Sequence, residues 1–455
     1  MNFLQYAVWG AWLISLGAYL GNTLKFDGLQ IGSFFATMGI ASLFMPAVMG
    51  IIADRWIPAQ RLLGLCHLFA AGFITLAATR TDYNSLYTLV LLSVMFYMPT
   101  IALSNSVAYN ALEKAGLDTV THFPPIRVWG TVGFICAMWV VDLGKMGLSA
   151  TQLYFSATLG LILGLYSFTL PNCPINRSGG GKSIVDLLGL RAFALFKQRK
   201  MAIFFIFSML LGMSLQITNA FADGYIKSFG DTGIHGAKYL GTFGVEHSTI
   251  LISLSQISET LCILLIPFFL KRFGIKRVML IAMFAWVLRF ALLGAGNPGP
   301  GVWMFILSMI VYGVAFDFFN ISGSLFVEKE TSAAIRSSAQ GVFMIMTNGL
   351  GALIGSYLAG WVVNHYGWPL SWYLFAGFSL VVAIVFAVIF KYTGYISGGQ
   401  IGDGHADGTG KSAPVTAQQQ SCQYAEYIAQ MECGLLGTHG NVDLEESKSD
   451  IAQSC

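Results

Sequence analysis

Long stretches without a charged residue recur along almost the whole chain. Eight of them contain no Asp, Glu, Lys or Arg, and they cover residues 3–20, 28–53, 62–79, 83–112, 146–176, 201–222, 337–364 and 366–390. Four more apolar stretches, at 124–141, 248–270, 278–297 and 301–325, contain one charged residue each. Because about 20 apolar residues cross the hydrocarbon core of a bilayer as a helix, these stretches predict twelve transmembrane helices.

The composition excludes an ordinary water-soluble protein. Of the 455 residues, 55% are hydrophobic and 10% are charged, and the mean hydropathy is +0.67. Soluble proteins carry about 25% charged residues. A span in lipid must satisfy its own backbone hydrogen bonds, and the alternating pattern of barrel strands is absent from the sequence. We therefore expect an all-α membrane protein.

The distribution of Lys and Arg predicts the topology. If both termini are cytoplasmic, the inner loops hold sixteen of these residues and the outer loops five. Such an excess is typical of cytoplasmic loops. We therefore expect both termini in the cytoplasm.

A long basic connection divides the spans into two groups of six. We expect an N-terminal half over 1–170, a cytoplasmic linker over 171–200 and a C-terminal half over 201–395. Two such halves are typical of alternating-access carriers. The remaining residues, 396–455, are rich in Gly, Ser and Gln and hold eight acidic and two basic side chains. We expect this tail to be disordered.

Charges at the inner ends of the helices suggest a gate. Asp54, Arg55 and Arg61 lie between the second and third predicted spans, and a basic cluster at 271–277 occupies the equivalent place in the second half. An acidic residue facing basic ones can form a latch that holds an inner gate shut. The alternative is that these charges only set the topology.

Four charged residues fall inside predicted spans: Arg127, Glu259, Arg289 and Asp317. Each costs about 2.5–3.5 kcal/mol on insertion scales when it is central, so such residues usually face a polar cavity and mark an ion or substrate path. The alternative is a purely structural pairing. That alternative is favoured for Arg289, because no polar residue surrounds it at helical spacing.

Polar and aromatic residues share helix faces with these charges, at spacings of three or four residues. The sets are Arg127, Thr131 and Phe134; Gln216 and Asn219; Gln256 and Glu259; and Tyr312 and Phe316. Amides and carboxylates hydrogen-bond hydroxyl groups, and aromatic rings offer a face to a planar group. The faces suit a ligand with a polyhydroxylated part and a flat part. Polar stripes can also serve only to hold helices together.

Four motifs carry a resemblance to a known family. They are Phe-Pro-Pro-Ile-Arg-Val-Trp-Gly-Thr at 123–131, Leu-Gln-Ile-Thr-Asn at 215–219, Ser-Gln-Ile-Ser-Glu at 255–259 and Tyr-Gly-Val-Ala-Phe-Asp-Phe-Phe-Asn-Ile-Ser-Gly-Ser at 312–324. The chain resembles the bacterial nucleoside:proton symporters of the major facilitator superfamily over about residues 3–395. The 60-residue tail has no counterpart in that family.

The resemblance implies proton-coupled symport of purine and pyrimidine nucleosides, such as uridine and adenosine, across the bacterial inner membrane. By this likeness Asp317 couples the proton, and the substrate residues are Arg127, Thr131, Phe134, Gln216, Asn219, Gln256, Glu259, Tyr312 and Phe316. We expect a monomer in the lipid bilayer, with no enzymatic activity, no metal, no cofactor beyond the coupling proton and no nucleic-acid partner.

Asp317 is the expected centre of the mechanism. We expect it to alternate between a protonated form and a carboxylate paired with a cation such as Arg127. Two alternatives remain open. One is a carrier of the same fold for another polar solute, such as a sugar. The other is a membrane sensor or enzyme, which would require a soluble output domain or a nucleophile with its base.

Overall fold

The computed structural model describes residues 1–117, 119–174, 190–231, 238–331, 336–368 and 370–391. All regular secondary structure in these residues is helical. The predicted disordered tail at 396–455 lies outside them, as does most of the linker. The part of the linker that is described contains a 3₁₀ helix, Leu190–Lys197, which packs on the next helix through the rings of Phe196 and Phe205, 5.2 Å apart.

The N-terminal part of the chain contributes six long elements. They are α1 (Asn2–Gly10, continued by Leu16–Ala18 and a π turn, Tyr19–Thr23), α2 (Gly28–Arg55), α3 (Ala59–Ala78), α4 (Tyr83–Lys114), α5 (Thr119–Leu143) and α6 (Thr151–Ser167).

The C-terminal part is also built mainly of long helices. It consists of α7 (Arg199–Ser228), a one-turn helix (Phe243–Glu246), α8 (Ser248–Ala295), α9 (Val302–Glu330), α10 (Arg336–Met344), a π segment (Ile345–Gly351), α11 (Ala352–Tyr366) and α12 (Leu370–Ile389). Element α8 is two helices that meet at Gly274, where φ is 75°. Glycine lacks a Cβ and adopts positive φ without strain, so the chain can turn there within the basic cluster at 271–277.

Nine helices of the described residues are long and apolar enough to cross a membrane. The sequence predicts twelve spans, and three of them are too short in the structure to be among the nine. The first span is interrupted after Gly10, α6 has 17 residues, and the apolar helix Ser248–Ile263 is also short. The structure therefore supports a multi-pass, all-helical membrane protein.

The first span packs closely against two other helices. A Cβ on Gly10 would lie 2.5 Å from the carbonyl oxygen of Phe134, and one on Gly17 would lie 2.0 Å from that of Ala220. Only glycine permits both approaches. The first span is thus wedged between α5 and α7, where it joins the N-terminal to the C-terminal helices.

Glycines also bring α2 against α11. A Cβ on Gly32 would lie 2.2 Å from the carbonyl oxygen of Ser356, and one on Gly39 would lie 2.6 Å from the amide nitrogen of Leu353. In a membrane, where helix association depends on close packing, small residues at such contacts let the backbones approach. This seam is a second junction between N-terminal and C-terminal helices.

Hydrogen bonds fasten one end of this junction. We call it the clasped end and define it by Gly28, Asp142, His247 and Asn364. The Gly28 amide donates to Oδ1 of Asn364 at 2.6 Å, and Nδ1 of His247 lies 2.6 Å from Oδ2 of Asp142. Asp27 caps α2 at this end through a capping box with Gln30, which satisfies amides of the first turn.

Candidate substrate and proton site

The charged residues predicted inside spans lie on three helices. Arg127 is in α5, Glu259 is in the first part of α8, and Asp317 is in α9. Glu259 interacts electrostatically with both Arg127 and Asp317. The structure therefore brings together one cation and two carboxylates from both parts of the chain. The predicted convergence is present for these three residues.

Local packing explains how the two carboxylates come close. A Cβ on Gly313 would lie 2.5 Å from the carbonyl oxygen of Ser258, so α9 approaches α8 at the residue before Glu259. The Ser258 hydroxyl donates to the carbonyl oxygen of Ile310 in the same contact. Asp317 is 4% exposed, and its Oδ2 has no hydrogen-bond partner among the residues that the structure describes. A buried oxygen without a partner is suited to receive a proton or a donor.

Tyr312 and Phe316 form an aromatic wall beside the carboxylates. Their rings are stacked, with centroids 5.7 Å apart and planes 9° apart. The Tyr312 side chain also interacts with Gln256 and Glu259. The predicted polar face of α8 and the predicted aromatic face of α9 thus meet at Tyr312, where a planar group could lie next to a hydrogen-bonding group.

Arg289 supports this wall and stays apart from the carboxylate cluster. Its Nη1 donates to the carbonyl oxygen of Ser308 at 2.6 Å, and its Cζ lies 4.7 Å from the ring centroid of Tyr312. The Ser308 hydroxyl returns a bond to the Arg289 carbonyl at 3.0 Å. This geometry agrees with the structural interpretation that the sequence favours for Arg289.

Thr131 and Phe134 lie on α5 beyond Arg127. Phe134 is buried, and its ring makes an edge contact with Trp9 of α1 at 6.3 Å. Thr131 is half-buried one turn away. Arg127 itself lies over the ring of Tyr6, with 4.0 Å between Cζ and the ring centroid. The wall contributed by the N-terminal helices is therefore built from α1 and α5 together.

Gln216 and Asn219 occupy α7 near its closest approach to the first span. Gln216 is 7% exposed and its Oε1 has no hydrogen-bond partner within the described part of the chain, while Asn219 is half-buried. The contact of Ala220 with Gly17 lies directly beyond them. The structure thus puts both amides beside the junction, but it describes no direct contact between either amide and the carboxylates.

A narrow cavity opens beside Phe316. It is lined by residues of α7, α8, α9 and the π segment, namely Leu211, Gly212, Leu215, Trp286, Ala315, Phe316, Phe319, Asn320, Thr347 and Asn348. Phe316 is a predicted site residue, so the cavity extends the candidate site among the C-terminal helices. Asn320 and Asn348 add amide groups that the sequence did not single out.

The predicted gate is only partly visible. Arg55 ends α2 and Arg61 lies in the first turn of α3, and both are exposed. The side chain of Asp54 lies outside the described part of the chain, and therefore its pairing is not described. The latch of Asp54, Arg55 and Arg61 stays a prediction.

Two residues of the site were missed from sequence. Tyr6 and Trp9 lie one turn apart on α1 and contact Arg127 and Phe134. Aromatic residues at helical spacing in an apolar span usually belong to the core, so the pattern did not separate them from ordinary packing residues. The glycines of the first span, Gly10, Gly17 and Gly21, were the one available signal that this span packs unusually closely.

Comparison with known proteins identifies the family. The profile of a family described as "Nucleoside H+ symporter" matches residues 1–394. The chain belongs to this family. It is 51% identical over 399 residues to the nucleoside permease NupG of Escherichia coli (strain K12), which covers 86% of this chain and 94% of that protein. It is 50% identical to the xanthosine permease of the same organism, with the same coverage.

A solved structure shows the same fold. The crystal structure of an Asp-to-Ala mutant of the nucleoside transporter NupG superimposes with a TM-score of 0.83 at 51% identity, and the match covers 86% of this chain and 98% of that one. The family and these relatives are transporters. The predictions of a transporter, of a nucleoside as its substrate and of the proton as the coupling ion are therefore confirmed, and the alternatives of an enzyme or a sensor fall away.

Proposed function

We propose that this protein moves purine and pyrimidine nucleosides, including uridine and adenosine, inward across the bacterial cytoplasmic membrane together with protons. It does so as a monomer of the major facilitator fold, with twelve crossings in two halves at 1–170 and 201–395. The count combines the nine long helices with the interrupted first span, α6 and the division of α8 at Gly274. With both termini in the cytoplasm, the clasped end faces outward.

The electrostatic attraction between Arg127 and Glu259 carries the proposal. It links the two parts of the chain at a half-buried position, as alternating access requires of a central site. In this mechanism Glu259 accepts hydrogen bonds from the ribose hydroxyls, the Gln256 amide accepts and donates them, and Tyr312, Phe316 and Phe134 hold the base. The amides of Gln216 and Asn219 and the hydroxyl of Thr131 complete the polar contacts.

Asp317 couples the proton. In the protonated form the carboxyl group is neutral and the carrier can bind its substrate and turn inward. In the ionised form the carboxylate is stabilised by a cation such as Arg127, and the proton has left to the cytoplasm. One proton crossing 100 mV supplies about 2.3 kcal/mol, which supports roughly fifty-fold accumulation of a neutral solute.

The contacts at the clasped end support an inward-facing state for this structure. Asp142 with His247, and Gly28 with Asn364, bridge the side assigned to the exterior. The Trp139 indole adds a third bridge, since its Nε1 donates to the Ser253 hydroxyl at 2.8 Å. In the outward-facing state these bridges open, and Asp54, Arg55 and Arg61 close the opposite end.

Nucleoside uptake into membrane vesicles, with a membrane potential that is positive or negative inside, tests the function. Labelled uridine, adenosine and xanthosine are offered with an inward proton gradient, and an uncoupler is added to half of the samples. We expect uridine and adenosine to accumulate only with the gradient and to compete with each other, whereas maltose and sucrose do not compete. Competition by the sugars with no effect of nucleosides would reject the proposal in favour of a sugar carrier.

A further inference from the structure

Tyr6 lies under the guanidinium of Arg127. Among the described residues of the N-terminal helices, Arg127 is the only arginine of the candidate site. The Arg127 Cζ is 4.0 Å from the Tyr6 ring centroid, and Tyr6 is 7% exposed. Tyr6 also interacts electrostatically with Glu259. The ring therefore lies at the same junction as the carboxylates.

We propose that Tyr6 is the positioning residue of Arg127. It holds the guanidinium flat against the face of α1, so that the charge is presented to Glu259 and to the bound nucleoside. This inference rests on the proposed function. It assigns a substrate-affinity role to a residue that does not itself contact the ligand.

The space for this pair is built into α5. A Cβ on Gly130 would lie 2.5 Å from Cδ2 of Tyr6 and 2.9 Å from Nη1 of Arg127. Any larger residue would displace the ring or the guanidinium. On the neighbouring turn, a Cβ on Gly133 would lie 2.0 Å from the carbonyl oxygen of Phe3. Two glycines thus set the close contact that puts Tyr6 beneath Arg127.

Tyr6 is also fixed from its other side. The neighbouring Gln5 donates through Nε2 to the Thr100 hydroxyl at 2.7 Å, and its Oε1 lies 2.8 Å from Nε2 of His67. The Tyr97 hydroxyl donates to the Gln5 backbone carbonyl at 2.7 Å. Because these bonds tie α1 to α3 and α4, the ring of Tyr6 presents a fixed surface.

The fixed face of the Tyr6 ring can preorganise the long side chain of Arg127. Arginine has many rotamers, and this conformational freedom is lost when the guanidinium binds a ligand or an anion. The face of an aromatic ring attracts the cation and is most effective where water is excluded. Tyr6 therefore reduces the entropy that Arg127 loses on binding, which raises affinity without a new contact to the substrate.

Uridine binding to the purified full-length protein tests the inference. We expect Tyr6→Leu to raise the calorimetric Kd about tenfold, and Tyr6→Phe, which keeps the ring, to raise it less than about threefold. Gly130→Ala should behave like Tyr6→Leu. The matched control is Phe34→Leu, since Phe34 is also a buried aromatic residue but packs on Phe26, Tyr83 and Tyr87; the Kd of this variant should equal that of the wild type.

A double-mutant cycle separates positioning from a structural role. In an Arg127→Gln background, Tyr6→Leu and Gly130→Ala should each add no further loss, because the side chain that they position is gone. Additive losses, or a wild-type Kd in Tyr6→Leu, would overturn the inference. If Tyr6→Leu does not fold, Gly130→Ala decides in the same cycle. Absence of uridine binding in the wild type would instead refute the proposed function.

Discussion

Nδ1 of His247 lies 2.6 Å from Oδ2 of Asp142, and this contact joins the last turn of α5 to the residue before α8. The Asp142 side chain is 2% exposed and that of His247 is 31% exposed. The pair is thus sealed on one side and reachable by water on the other. It closes the clasped end without involving the central site.

We expect Asp142→Asn to favour opening of the clasped end. The Asn amide oxygen can still accept the bond, so the variant replaces a charged hydrogen bond of about 1.5–3 kcal/mol by a neutral one of about 0.5–1.5 kcal/mol, and the opening equilibrium should shift several-fold. Spin labels at positions 25 and 365, in a background without native cysteines, report the distance across this end. The long-distance population should grow in Asp142→Asn. Glu246→Gln, an exposed neighbour of His247, is the control, and an equal distribution in both variants would contradict the assignment.

Gly32→Ala should destabilise the seam between α2 and α11. The added Cβ would lie 2.2 Å from the carbonyl oxygen of Ser356, and backbone cannot move away as a flexible side chain can. Overpacking of this kind costs about 1–3 kcal/mol. Thermal unfolding in detergent should show a lower Tm than the wild type. Gly72→Ala is the matched control, because no atom of the described residues outside its own helical surroundings lies within 4 Å of an added Cβ there.

Arg289→Met should lower stability and leave proton coupling intact. The substitution removes the bond to the Ser308 carbonyl and the cation under Tyr312, at a cost of about 1.5–3 kcal/mol for a charged hydrogen bond. We expect a lower Tm and, because Tyr312 loses its support, weaker nucleoside binding. Uphill uptake per nucleoside-bound transporter should be unchanged. Arg277→Met, at an exposed position, controls for the loss of charge. Loss of coupling in Arg289→Met would assign Arg289 to the proton path.

Glu259→Gln should weaken binding. The variant keeps the shape of the side chain but removes the charge that faces Arg127, and a hydrogen bond from a ribose hydroxyl to a carboxylate is about twice as strong as one to a neutral acceptor. We expect the Kd for uridine to rise about tenfold. Glu246→Gln, which also replaces a carboxylate by an amide, serves again as the control. An unchanged Kd would remove Glu259 from the site.

The sequence predicted the helical class and the convergence of three charged residues, because charge in a span is costly and therefore has few explanations. The intervals between charged residues located most helices. They separated the span at 248–270 from the one at 278–297, on either side of Gly274. They could not show the break after Gly10 or the close approach of the first span to the backbones of distant helices.

The residues that could not be predicted from the sequence were missed for a common reason. Gly28 and Asn364 are 336 positions apart, and Tyr6 looks like any other aromatic residue of an apolar helix. Their roles arise only when the chain folds and α1 meets α5 or α2 meets α11. Local patterns carry information on faces of single helices, whereas partners across the junction depend on the tertiary structure.

The central claim is that Asp317 couples proton movement to nucleoside movement within one shared site. Proteoliposomes that contain a pH-sensitive dye and the wild-type protein should acidify when uridine is added outside, whereas those with Asp317→Asn should not. The variant should still exchange labelled for unlabelled uridine, since exchange needs no net proton transfer. Uridine-dependent acidification in Asp317→Asn at the wild-type rate would contradict the claim.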